Sequence, residues 1–334
     1  MTLPVRALGP FKVSAIGLGC MNLSHAYGVP PTIEEGAKLL NHALDLGVTL
    51  LDTAALYGLG DNERLIAGAV MGRKAEFTLA SKCVLDSIDG KRTLDGSPAA
   101  IARTVHGSLD RLGTDHIDLM YLHRLDRLVP IEESVGALVR LKEEGKIGAI
   151  GLSEMSAATI RRAQAVHPIA AVQSEYSPIV RNPEIAVLDT CRELGIAFVA
   201  FSPVARGMLA GAIRDEDYAP GDIRRFMPRF VEPDLTHNLA LTARFDALAA
   251  EVGCTPAQLS IAWVLARGEH IVPIPGTTSA AHLEEDLGAL AITLSPETID
   301  RVVGIFANHI AGPRYAAPMQ AQIDTETFPD EVLA

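Results

Sequence analysis

Residues 17–22 read Gly17-Leu18-Gly19-Cys20-Met21-Asn22 and close the first short apolar run of the chain, residues 13–19. A doubly wound sheet that binds a dinucleotide carries Gly-x-Gly-x-x-Gly after its first strand, and the third glycine lets the next helix pack close to that strand. Here Asn22 stands at the third position, and the phosphate-binding pattern Gly-x-x-x-x-Gly-Lys is missing as well. Seven more apolar runs follow, at 48–53, 77–82, 117–123, 147–153, 170–176, 197–203 and 271–276. Each is nearly continuous, as expected of parallel strands covered on both faces.

Helical periods with clear punctuation separate these runs. Thr32-Ile33-Glu34-Glu35 is a capping box, and Ile33, Ala37, Leu40 and Leu44 share one face that ends at Gly47. Ser97-Pro98 starts a second helix, through Ile101, Val105, Leu109 and Leu112, that stops at Gly113. Asn182-Pro183-Glu184 repeats the start signal and Gly195 the stop, while Leu138, Leu141 and Gly145 close another helix. Most runs begin roughly 25 to 40 residues apart, the span of one βα unit. Eight units in series with right-handed crossovers predict an α/β fold, a closed (β/α)8 TIM barrel.

A length of 334 residues leaves one domain or two open, since a domain averages ~150 residues. Eight strand–helix units resolve this to a single domain over residues 1–334. The extra length falls in a long loop, 204–236, expected over the active-site mouth, and in a C-terminal tail, 308–334. The chain is 48% hydrophobic with a net charge of −12, which argues against nucleic acid and anionic membrane as partners. Cys20, Cys83, Cys191 and Cys254 form no C-x-x-C pair, so neither a disulfide framework nor a metal site is expected. No apolar run reaches ~18 residues and no basic, apolar leader opens the chain, which leads to the expectation of a cytoplasmic protein.

In a barrel the strand C-termini converge on one mouth. Asp52, Lys82, His123 and the Ser153/Glu154 pair end four of these strands, and Tyr57 follows Asp52 by five residues. A lysine beside a tyrosine favours its phenolate, and a carboxylate behind the lysine keeps it charged. A nearby histidine can donate to a substrate oxygen. Together the four form a proton-donating site for a carbonyl. Singly, each has an ordinary structural reading; their convergence lifts the functional one. Cys20 and Cys83 read as small packing residues before redox sensors, and Trp263 as helix core.

These residues lie in strings that resemble the aldo-keto reductases. Leu51-Asp52-Thr53-Ala54-Ala55-Leu56-Tyr57-Gly58, Ala80-Ser81-Lys82 and Asp118-Leu119-Met120-Tyr121-Leu122-His123-Arg124 come first. Gly151-Leu152-Ser153-Glu154, Val172-Gln173-Ser174-Glu175-Tyr176, Phe201-Ser202-Pro203-Val204-Ala205-Arg206-Gly207 and Ile274-Pro275-Gly276-Thr277-Thr278 follow in order. The helix start Thr255-Pro256-Ala257-Gln258 belongs to the same set, which covers nearly the whole chain. The likeness is greatest to the bacterial, fungal and plant branch with the Gly-Leu-Ser-Glu string.

The resemblance implies a barrel that binds NADP(H) or NAD(H) in extended form and an oxidoreductase acting on an aldehyde or ketone, or on its alcohol in reverse. Tyr57 would be the general acid or base, with Lys82 and Asp52 lowering its pKa and His123 orienting the carbonyl. Gly19, Cys20 and Met21 would border the cofactor beside Asp52. Ser153 and Gln173 would hold the carboxamide and Phe201 would stack on the nicotinamide. Ser202, Pro203, Val204, Arg206, Gly207 and Leu209 would wrap the pyrophosphate. Gly276, Thr277, Thr278, Ser279, His282, Glu285 and Asp286 would receive the adenosine end. Met21, Asn22, Leu23, Tyr57, His123 and Phe226, with Tyr315, would face the substrate. The segment 276–286 departs from the family pattern, for it holds no lysine or arginine to grip a 2′-phosphate, only His282 beside Glu284, Glu285 and Asp286. The choice between NADP and NAD therefore stays open, as do the substrate and the oligomeric state. Two other readings compete: a cofactor-binding regulatory or redox-sensing barrel with little turnover, and a glycosidase using Asp52 and Glu175.

Overall fold

The computed structural model describes residues 3–88, 91–307 and 310–334. Its centre is an eight-stranded parallel sheet in which sequential strands are neighbours. The strands are β1 (Leu18–Gly19), β2 (Leu50–Asp52), β3 (Thr78–Cys83), β4 (Ile117–Leu122), β5 (Ile147–Ser153), β6 (Ala171–Glu175), β7 (Ala197–Phe201) and β8 (Ile271–Ile274). Gly17 N donates to Pro273 O at 3.0 Å and Gly19 N to Pro275 O at 3.0 Å, so β1 meets β8 and the sheet closes on itself. Both glycines serve this seam. A Cβ on Gly19 would lie 2.9 Å from the Ile274 carbonyl oxygen, and one on Gly17 2.9 Å from Leu50 Cδ2.

Helices α1 (Ile33–Asp45), α2 (Asp61–Val70), α3 (Pro98–Leu112), α4 (Ile131–Glu143), α5 (Ala157–Val166), α6 (Val187–Leu194), α7 (Asp234–Val252) and α8 (Pro256–Ala266) lead to α9 (Ala280–Gly288), α10 (Pro296–Phe306) and α11 (Ala317–Gln320). The capping boxes at Thr32 and Thr255 form, Ser97 caps α3, and Gly113 and Gly195 end their helices in the left-handed conformation. One large apolar cluster packs strands against helices and includes a fully buried Trp263. A smaller cluster fills the barrel, where Tyr121 lies among alanines 80, 149, 171 and 197. Small residues leave the room that the ring takes: a Cβ on Gly151 would come within 2.4 Å of it.

Three expectations change, and one hairpin was not anticipated. The first run, 13–19, is not one strand: Phe11–Ser14 pairs antiparallel with Val5–Leu8, and only Leu18–Gly19 belongs to the barrel. Leu8 and Val13 of this hairpin plug the barrel interior, which is why its apolar residues run on into β1 without a break. A second hairpin, Leu85–Ile88 with Lys91–Leu94, follows β3. Asn182 does not start α6. It opens a single 3-10 turn, and its amide donates to Glu326 O at 3.1 Å instead. The loop 204–236 is built of 3-10 turns at Ala205–Ala210, Ile223–Phe226 and Pro228–Phe230, and α7 already begins at Asp234. Of the tail 308–334, residues 308 and 309 lie outside the described residues. The rest runs over the strand C-termini and is anchored there: Asp324 accepts from Ser156 Oγ at 2.9 Å and from Thr159 Oγ1 at 2.7 Å, at the start of α5. Among the described residues no single helix is long and apolar enough to cross a membrane.

Candidate active site

Parallel register brings the strand ends level. Gly19 pairs with Asp52, Gln173 with Ser153, and Phe201 with both Glu175 and Ile274. All of these except Glu175 rim one cavity of about 410 Å³ that extends from Tyr57 and His123 to Thr277, His282 and Asp286.

At one end lie the four residues expected to form the proton site. Lys82 Nζ donates to an Asp52 carboxylate oxygen, to Thr53 O at 2.8 Å and to the Tyr57 hydroxyl at 3.1 Å. Gln173 Nε2 donates to the other Asp52 oxygen at 2.7 Å. Asp52 and Lys82 are both buried, so the pair is withdrawn from solvent and only Tyr57 and Asp52 reach the cavity. The Tyr57 and His123 rings meet edge to face with centroids 6.0 Å apart. His123 Nδ1 is buried without a partner.

Burial dominates the electrostatics. It pushes the Tyr57 pKa up, and Asp52 adds to this, against the lowering influence of Lys82. The expected depression of the Tyr57 pKa is therefore corrected: the phenol stays protonated, the form that can donate. Burial first, then Arg124, Lys82 and Arg92, holds His123 well below the usual histidine range, so its ring is neutral. Burial works to lower the Lys82 pKa, but Asp52 and Tyr57 outweigh it and leave the ammonium charged. Cys20 and Cys83 are fully buried and their thiols are pushed up to about 12, chiefly by that burial.

Most of the expected cofactor and substrate residues line the cavity: Gly19, Cys20, Met21, Asn22, Ser153, Gln173, Phe201, Ser202, Arg206, Gly207, Gly276, Thr277, Thr278, His282, Glu285 and Asp286. Others do not. Leu23 is buried in the core, and Phe226 points into solvent with 74% of its surface exposed. Pro203, Val204 and Leu209 lie behind the lining; Leu209 is fully buried. Ser279 caps α9 rather than facing the cavity. Glu284 turns outward to His42 at 2.8 Å. Arg206 is not free for a pyrophosphate, since it pairs with Glu175 at 2.8 Å and donates to Tyr27 at 2.9 Å and Tyr315 at 2.6 Å. The same ion pair removes the glycosidase reading: Glu175 is held by Arg206, Arg314 and Tyr315, and its pKa is net lowered although burial alone would raise it. Asp52 is likewise held by Lys82.

Sequence reasoning missed His25, Arg92 and Arg124 on the cavity wall. Arg92 sits on the second hairpin, whose short polar strands carry no apolar period. Arg124 directly follows His123, and that adjacency was the available signal.

The profile of the Aldo/keto reductase family matches residues 15–306. An aldo-keto reductase of Schizosaccharomyces pombe, named yakc [NADP(+)], is 42% identical over 338 residues, covering 98% of this chain and 99% of the relative. A glycerol dehydrogenase from Gluconobacter oxydans superimposes with a TM-score of 0.83 at 28% identity, over 92% of this chain and 96% of its own. An aldo-keto reductase from Bacillus halodurans in its holo form gives 0.75 at 27% identity, over 91% and 96%. With its barrel, its Tyr57–Lys82–Asp52–His123 cluster and a match over nearly its whole length, the chain belongs to the aldo/keto reductase family.

Proposed function

We propose that the cavity takes a nicotinamide dinucleotide in extended form and that Tyr57 passes a proton to the carbonyl oxygen of a small aldehyde or ketone, or takes one from the alcohol in reverse. The observation that carries this is the Tyr57 hydroxyl, hydrogen-bonded to Lys82 at 3.1 Å, on a side chain that lines the same cavity as His123. When bound, the nicotinamide supplies or accepts the hydride. Tyr57 gives the proton at its hydroxyl, and the charged Lys82 stabilises the phenolate left behind. Asp52 keeps Lys82 charged and aimed. The neutral His123 donates a hydrogen bond that orients the carbonyl oxygen. Ser153 and Gln173, level on β5 and β6, offer a hydroxyl and an amide oxygen to a carboxamide, and Phe201 offers a ring face. The reacting groups meet in a largely buried cleft, which strengthens each of these interactions.

The adenosine end supports weak discrimination between the two cofactors. Segment 276–286 brings no lysine or arginine to the cavity, and His282 lines it together with Glu285 and Asp286. Burial, with Glu285 adding to it, raises Asp286 to about 7, so it is partly ionised where a 2′-phosphate would carry its second charge. The relative named for NADP(+) supports a nicotinamide cofactor without deciding this preference.

Purified protein is to be screened against aldehydes, ketones and sugars with NADPH and with NADH, following absorbance, alongside Tyr57→Phe. Turnover is expected with both cofactors, and Tyr57→Phe should lose most of it while still binding cofactor. Wild-type rates in that variant would overturn the proton-transfer role. A preference for NADPH of about 100-fold or more would overturn the weak discrimination. Tight cofactor binding with no turnover on any carbonyl would favour the regulatory reading instead.

A further inference from the structure

The wall of the cavity beside Tyr57 carries positive charge that no carboxylate among the described residues pairs with. Arg92, on the hairpin after β3, and Arg124, just past β4, both line it, together with His25 and His123. The other two arginines on this wall have carboxylate partners: Arg206 pairs with Glu175 at 2.8 Å, and Arg224 with Asp222 at 2.7 Å. Among the described residues Arg92 donates to Gln322 Oε1, at 3.2 Å. Arg124 donates through one nitrogen, to His123 O at 2.6 Å and Ser153 Oγ at 3.3 Å. Each guanidinium has five N–H donors, so most remain available.

Among the described residues no aspartate or glutamate forms an ion pair with either arginine, in a chain whose net charge is −12. The two cations are close enough to oppose one another's charge: burial first, then Arg124, lowers the Arg92 pKa. Their field also reaches the neighbouring imidazoles, adding to burial in holding His123 and His25 neutral. The cavity's own carboxylate at this end, Asp52, is already taken by Lys82 and Gln173. The Nδ1 atoms of His25 and His123 are buried and unpartnered. A concave wall whose two guanidinium groups have no carboxylate partner among the described residues is built to receive acceptor oxygens. Arginine's planar fork matches the oxygens of a carboxylate or a phosphate.

We infer that the substrate carries an oxyanion group, a carboxylate or a phosphate monoester, beside its carbonyl, and that Arg92 and Arg124 bind that group while Tyr57 and His123 face the carbonyl oxygen. This rests on the reductase reading and names the substrate class for it. The arginines select; they take no part in the proton transfer. The cationic wall also disfavours purely apolar aldehydes, which would leave both guanidinium groups without their water.

The test is a pair of matched substrates for each oxyanion, with the cofactor that the wild-type protein accepts. 4-Carboxybenzaldehyde is compared with benzaldehyde, and glyceraldehyde 3-phosphate with glyceraldehyde, in wild type, Arg92→Ala and Arg124→Gln. The wild type should favour at least one charged member by about tenfold or more in kcat/KM, mostly through KM, as expected for charge-assisted hydrogen bonds. Arg92→Ala should lower that charged-to-neutral ratio about tenfold, with Arg124→Gln moving it the same way. A preference confined to the carboxylate or to the phosphate supports the inference and identifies the oxyanion. A ratio near one in wild type, or a high ratio untouched by Arg92→Ala, overturns it. Turnover of the neutral aldehydes with no charge preference defeats only this inference, whereas no turnover of either member defeats the reductase reading beneath it.

Discussion

The Tyr57 hydroxyl lies between opposing influences, and burial wins over Lys82. The consequence for rate has a definite sign. Reduction needs the phenol protonated, and its pKa stands above the ordinary tyrosine value. For reduction, kcat/KM should therefore stay level between about pH 6 and pH 9, falling only at or above ~10, while alcohol oxidation climbs with pH as Tyr57 is asked to take the proton back. Steady-state pH profiles in both directions check this, and an alkaline limb centred near pH 7 would show that another group controls the reaction. At this scale the sequence was informative about identity and pointed the wrong way about state, for it led to the expectation of a lowered Tyr57 pKa. Asp52, Tyr57, Lys82 and His123 could be picked out because strand ends converge in a barrel. That Tyr57 is held protonated could not, since desolvation depends on which atoms of distant segments surround the ring. Arg206 makes the same point: its string suggested a phosphate ligand, and only the approach of Glu175, Tyr27 and Tyr315 commits it elsewhere.

Among the elements, β1 is the shortest strand and the one under the tightest steric demand. Its two residues pair with β2 on one side, while Gly17 and Gly19 bond to the β8 segment on the other. Gly19→Ala would press a methyl group against the Ile274 carbonyl, 2.9 Å away, and backbone cannot give as a flexible side chain can. Chemical denaturation should register a loss of about 1–3 kcal/mol, the usual range for overpacking. Gly68→Ala, in α2 with open space around it, is the control and should gain about 0.5–1 kcal/mol, because alanine is the better helix former. Equal losses at both sites would refute the role of the seam. The helices were the most legible elements, because Thr32, Ser97, Thr255, Gly113 and Gly195 act within a few residues of themselves. The two hairpins were the least legible. Phe11–Ser14 is apolar for the sake of the barrel floor and merged with β1, while 85–94 is short and polar and its purpose lies in the cavity wall.

Taken as a whole, the molecule is a barrel whose mouth is tied to its own C-terminal tail. Arg314 and Tyr315, both almost fully buried, enter the mouth from that tail. Arg314 pairs with Glu154 and lies 3.7 Å from Glu175, which accepts from Tyr315 at 2.9 Å. Two carboxylates and two guanidinium groups thus share one enclosed network. Arg314→Met should destabilise the protein by about 3–5 kcal/mol, the range for a buried charge left without its partner, and adding Glu154→Gln should restore part of the loss. Urea titrations of the single and double variants check this; a single variant as stable as wild type would mean that the tail is only laid against the barrel. By itself the sequence determined the order of the barrel strands, several of the helices, the barrel and the four residues expected to form the proton site, because periodicity, capping and strand-end position are local properties that survive translation into three dimensions. Tertiary structure alone decided which charges are spent on one another and which are left open. Glu175 with Arg206 and Glu154 with Arg314 are joined across 31 and 160 residues, whereas Arg92 and Arg124 both line the cavity wall and pair with no acid among the described residues. Charge pairing depends on separations of a few ångströms, which chain spacing does not encode.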